Sequence, residues 1–131
     1  MKINNYILNF FKSYHNIFLK VLWFEIYYSI IFKELIPRIK IQNNSKRTDT
    51  VPCIYYFLHE ISKFKKEKEI TSIVDIGSGY GRVVNFIGIM NKIKCYGIEY
   101  DKDVFQSALK IKNKNVKLYC GDALNFNLKK F

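Results

Sequence analysis

Apolar positions divide this chain into an N-terminal aromatic half and a C-terminal half of short alternating runs. Residues 4–36 form one long apolar stretch, with Tyr6, Ile7, Phe10, Phe11, Tyr14, Ile17, Phe18, Val21, Leu22, Phe24 and Ile26 recurring at helical intervals. The spacing predicts one long helix, or two with a break near Asn16, stopped before Pro37. Residues 38–50 are polar and basic, with Asn43, Asn44 and Ser45 at their centre, and read as a linker. Pro52 suits the first turn of a second helix, with Thr50 or Val51 before it. Ile54, Tyr55, Phe57, Leu58, Ile61 and Phe64 then give an amphipathic pattern running to about Lys66. Beyond it, residues 63–69 read as a solvated turn. Three strand–helix units follow, with strands expected at 72–76, 94–98 and 116–120. Helices are expected at about 81–90 and 102–112. Alternation with short connections predicts parallel strands and an α/β fold.

Between the first strand and its helix lies Asp75-Ile76-Gly77-Ser78-Gly79-Tyr80-Gly81-Arg82. Strand, glycine turn and helix let a backbone approach a ligand with no Cβ in the way. A dinucleotide fingerprint would place its third glycine at position 82. Arg82 stands there, which disfavours a dinucleotide-dependent oxidoreductase. Glu99 follows the second strand, 22 residues beyond Gly77. In nucleotide-binding β-α-β units an acid at that place accepts hydrogen bonds from both ribose hydroxyls, for which a carboxylate has two oxygens. Its other reading is a helix N-terminal acid, for which Asp101 and Asp103 are better placed. Asp122 follows the third strand, where an acid after Gly121 also reads as a turn residue.

The run from Asp75 to Gly81 resembles motif I of the class I S-adenosylmethionine-dependent methyltransferases, whose pattern is D/E-x-G-x-G-x-G. The resemblance covers about residues 46–125. It implies a partial Rossmann-like fold with three parallel strands in the order 3-2-1, preceded by N-terminal helices. It implies S-adenosylmethionine as cofactor. Asp75 and the backbone of Gly77, Ser78, Gly79 and Gly81 would then hold its methionine part. Asp122 would meet the exocyclic amine of adenine and the backbone of Ala123 its ring. The motif also looks like that of the histone-lysine methyltransferases of the telomeric-silencing-disruptor type and their small bacterial relatives. In that group a cofactor-facing loop sits where residues 47–50 stand, which extends the candidate set to Thr50. No catalytic residue is assigned.

A complete fold of this class has seven strands, and the fourth bears the substrate-side motif. The sequence matches only the first three. The expectation is an appendage at 1–37, a linker at 38–50 and a truncated cofactor-binding domain at 51–131. Such a chain is a fragment of a methyltransferase, one of two polypeptides that complete each other, or a non-catalytic interaction or membrane-associated module that keeps a nucleotide-binding half-fold. The methyl acceptor is open.

Composition changes this picture little. Net charge is +11, with 12 basic and 6 acidic residues in 1–70 and 10 and 5 in 71–131, so the excess is even. An even excess favours acidic partners, nucleic acid or anionic lipid, without choosing between them. Cys53, Cys95 and Cys120 are odd in number and lack metal spacing, which points to a reducing, cytoplasmic setting and to no metal site. His15 and His59 are isolated. Residues 4–36 are expected to pack on the domain or a partner protein, to lie on a membrane surface, or to span it. Against spanning stands Glu25, since a central acid costs about 3 kcal/mol and each Leu, Ile or Phe returns only about 0.5 kcal/mol.

Overall fold

A computed structural model describes residues 3–33, 38–41, 49–111 and 113–131, with side chains from residue 16 onward except 65–68. Expectations for Pro37, for 42–48 and for Lys112 lie outside the described residues. Two units are present: residues 1–37 with 54–56, and residues 38–53 with 57–131.

The first unit is built on helix α1 (Ile3–Phe32), which runs without a break past Asn16. It ends at Lys33, in the left-handed region at φ 54°. Tyr28 and Ser29 are buried on one side. The Tyr28 ring stands 5.5 Å from Tyr55 and 5.8 Å from Phe24, and Phe32 stacks on Tyr55 at 5.7 Å. Glu25, the acid that opposes spanning, accepts a hydrogen bond from the backbone N–H of Tyr55. Among the described residues no helix is long and apolar enough to cross a membrane.

Helix α2 (Tyr55–Lys68) starts three residues later than Pro52 suggests. A helix from Pro52 would need the Cys53 carbonyl for an amide four residues on. That carbonyl accepts from Arg82 Nη1 at 2.8 Å. The helix also continues through the charged residues expected to form a turn.

In the second unit, strands β1 (Ser72–Ile76), β2 (Lys94–Glu99) and β3 (Val116–Cys120) form one parallel sheet in the order β1-β2-β3. Helix α3 (Arg82–Asn91) packs on β1 and β2, and α4 (Lys102–Ala108) on β2 and β3. Leu58, Val84, Phe86, Ile87, Cys95, Ile98, Val104 and Ala108 are buried core. Helix α4 is shorter than the pattern to 112 predicts. Its carbonyls turn to tighter bonds, Ser107 O to Lys110 N and Ala108 O to Ile111 N, which swing Ile111 toward Gly81. After β3 come two short 3₁₀ turns, Ala123–Asn125 and Leu128–Lys130. They bring Phe131 to 4.9 Å from the Tyr96 ring and 5.3 Å from Tyr119.

Candidate cofactor site

The glycine turn leaves β1 with Gly77, Gly79 and Gly81 at φ 75°, 53° and 80°. Only glycine takes that alternation without strain. The Gly77 and Ser78 N–H groups both donate to Ile98 O, at 2.9 and 3.1 Å, and Gly81 N–H donates to Ser78 O at 2.8 Å. Most of the turn's N–H groups are thus spent inside the protein. What the turn offers a ligand is closeness of backbone.

The three glycines differ in what stands beside them. A side chain at Gly77 would meet nothing within 4 Å. One at Gly81 would run into Ile111 at 2.4 Å, so this glycine serves the packing of α3 against the end of α4. It does not open a hollow on that side, and what it can offer a ligand is its backbone. At Gly79 the corresponding space is filled by the Thr50 methyl, which would stand 2.9 Å from a side chain there. Ser78 points its side chain inward. Its side chain is buried against Gly97, and its hydroxyl oxygen has no hydrogen-bond partner among the described residues.

Glu99, the last residue of β2, is buried and ties this turn to the next one. Its Oε2 accepts from Gly79 N–H at 2.8 Å and its Oε1 from Asp101 N–H at 2.7 Å. Each oxygen keeps a lone pair. Asp101 is indeed the N-cap of α4, accepting from Asp103 N and Val104 N. It is buried, and Lys40 Nζ lies 3.0 and 2.9 Å from its two oxygens. That contact, together with Asp103, raises the Lys40 pKa. The Lys40 backbone pairs in turn with Thr50, at 3.1 and 2.9 Å, in an isolated antiparallel bridge. Thr50, Gly79, Glu99, Asp101 and Lys40 therefore close a ring of contacts around the turn.

Asp75 is half-buried and in register with Gly97, two residues before Glu99, so it shares a sheet face with Glu99. Burial, and then the Glu99 charge, push its pKa up to about 6. Burial and Asp75 push the buried Cys95 thiol up to about 11. Gly121 N–H donates to Glu99 O at 2.9 Å, which sets Asp122 one residue beyond the rim. Asp122 is exposed and accepts from Leu124 N–H at 3.0 Å, so it also serves as a turn residue. Ala123, half-buried, opens that turn.

The structure thus brings Gly77, Gly79, Glu99 and Asp122 to the C-terminal ends of adjacent parallel strands, with Asp75 just inside and Thr50 above. Open α/β sheets bind ligands at this edge. Open space beside Gly77, spare lone pairs on Glu99 and an exposed Asp122 fit a ligand rich in donors, such as a ribose, an exocyclic amine or an ammonium. The same acids repel phosphate. Gly97, Lys40 and Asp101 were not part of the sequence-derived set. For Gly97 a signal existed, since a glycine inside a strand marks close approach of another backbone. Among the described residues no group of three or more His, Cys, Asp or Glu could hold a metal ion.

No family model matches this sequence, and no curated protein does. Among solved structures the chain is similar to an RNA methyltransferase from Salinibacter ruber in complex with S-adenosyl-L-homocysteine. Identity is 25% and the TM-score 0.51, over 58% of this chain and 53% of that one. A candidate caffeoyl-CoA O-methyltransferase from Staphylococcus aureus matches at 17% identity and a TM-score of 0.50, over 94% of this chain and 53% of that one. The plantazolicin methyltransferase BpumL, in complex with a monoazolic desmethylPZN analog and S-adenosylhomocysteine, gives 25% identity and a TM-score of 0.46 over 53% of this chain and 29% of that one. The chain spans between 29% and 53% of the lengths of these proteins. The architecture is the Rossmann-like fold of the class I methyltransferases. This chain carries part of it, three parallel strands of the sheet with their helices.

Proposed function

We propose that this chain supplies the S-adenosylmethionine-binding part of a methyltransferase. Glu99 receives the two ribose hydroxyls on its spare lone pairs. Asp122 takes the exocyclic amine of adenine, and the backbone N–H of Ala123 takes the ring. Asp75 and the open side of Gly77 hold the methionine end, with its ammonium beside the Asp75 carboxylate. Thr50 lies over the turn from the strap that Lys40 fixes. When bound, the cofactor supplies an electrophilic methyl group.

The observation that carries this reading is the position of Glu99. It is a buried carboxylate at the end of β2 that holds the glycine turn and keeps acceptor capacity on both oxygens. The likeness to the Salinibacter ruber enzyme supports it. Calorimetric titration with S-adenosylmethionine and with S-adenosylhomocysteine is the test. Micromolar binding is expected. Because Asp122 is exposed, Asp122→Ala should leave the fold intact and weaken binding by about tenfold, the worth of one charge-assisted hydrogen bond. A folded sample that binds neither compound, or binds NAD instead, overturns the reading.

A further inference from the structure

We propose that α1 docks on an anionic membrane surface, lying in its plane. Leu19, Leu22, Trp23, Ile26, Tyr27 and Ile30 are each at least 44% exposed. At about 100° per residue they fall within an arc of roughly 140°. This is a continuous apolar stripe, wider than the seam of a coiled coil. A stripe of that size on a folded chain marks a docking surface.

The apolar stripe and the charges beside it together point to the occupant. Residues 16–33 carry three charged side chains, Lys20, Glu25 and Lys33. Glu25 is directed to the other side of the helix, onto the Tyr55 N–H. Both lysines are exposed: Lys20 lies about 20° beyond the Tyr27 edge of the arc, and Lys33 stands just past the end of the helix, with no acid inside the arc. A lysine at the margin keeps its ammonium among lipid headgroups while its stem lies along apolar surface. Trp23 stacks on Tyr27 at 4.9 Å and 8°, and such amphipathic rings concentrate where hydrocarbon meets water. The chain carries +11 overall, which attracts an anionic surface and repels a second copy of itself. Among the described residues no helix is long and apolar enough to cross a membrane, and the proposal has the stripe lie on the surface. This inference is independent of the cofactor site.

Trp23 is the chain's only tryptophan, so its fluorescence reports on the stripe alone. The full chain is mixed with vesicles of phosphatidylcholine, with or without phosphatidylserine, and followed by flotation and Trp23 emission. Phosphatidylserine should strengthen binding on the order of tenfold, with an effect that fades as salt is raised. Trp23 emission should shift to the blue and be quenched by brominated lipid chains. Ile26→Asp should abolish the shift while circular dichroism shows the helix retained. The quenching of the unmodified chain decides the matter even if that variant fails to fold. Equal binding to neutral vesicles, absence of flotation, or a dimer by light scattering that shields Trp23 without lipid would each overturn the proposal.

Discussion

Glu99 Oε2 accepts the backbone N–H of Gly79 at 2.8 Å, although the two residues lie on different strand–helix units. One carboxylate therefore sets the shape of the glycine turn and the start of α4 together. Removing it as Glu99→Ala leaves two buried N–H groups, of Gly79 and Asp101, without their acceptor. At about 1–3 kcal/mol for each unsatisfied group, a loss of roughly 2–6 kcal/mol is expected in urea unfolding. Glu99→Gln keeps one acceptor and should lose less. An unchanged unfolding midpoint in the alanine variant would show that the contact does not hold the turn.

Asp75 gives the site a pH signature. Its pKa is about 6 in the folded chain against an ordinary 3.8. Between those values the folded state binds more protons than the unfolded one, so stability falls as pH rises through that window. Above it, the ionised carboxylate costs on the order of 3 kcal/mol. Asp75→Asn should flatten this slope and raise the urea midpoint at neutral pH. It should also weaken S-adenosylmethionine binding, because the ammonium loses its counter-charge. Higher stability with lower affinity is the expected pairing. A variant no more stable than the parent at pH 7 would refute the buried-carboxylate account.

Lys40 fixes the strap over the turn through a contact spanning 61 residues of sequence. Lys40→Met keeps the length of the side chain and removes its charge. Amide hydrogen exchange at Thr50 should quicken, because among the described residues the Lys40–Thr50 bridge has no other β pairing around it. Exchange in the interior of α3 should stay unchanged. Equal protection at Thr50 in both proteins would show that the ion pair is incidental.

Gly97 makes room for Ser78. A methyl group there would stand 2.6 Å from Leu118 Cδ2 and 2.7 Å from Ser78 Oγ. Gly97→Ala should therefore destabilise the chain by about 1–3 kcal/mol. It should also displace the glycine turn, read as a loss of cofactor affinity. Gly77→Ala faces open space and costs only its backbone conformation, about 1 kcal/mol.

Local patterns announced the parts of this fold that local physics decides. The runs 72–76 and 116–120 matched strands to the residue, because short apolar segments bounded by turn residues have few other uses. The places of Glu99 and Asp122, at the ends of the second and third strands, were likewise legible from the sequence. What escaped was set by distant partners. The bond from Arg82 to the Cys53 carbonyl, just ahead of α2, joins residues 29 apart in sequence, and no propensity of residues 50–54 contains that. Gly79 and Gly81 look alike in a motif, yet Thr50 covers one and Ile111 the other. The fold-back of Phe126 and Phe131 onto Tyr119 depends on an aromatic sheet face that no window of the sequence displays.

Because Lys40, Thr50, Gly79, Glu99 and Asp101 join in a closed circuit, no link in it is energetically private. Loosening one relaxes the geometry of the other four, so paired substitutions around the circuit should fall short of the sum of their separate effects. A ligand seated on Glu99 would tighten the same circuit, and its presence would be felt at Lys40, on the far side of the turn.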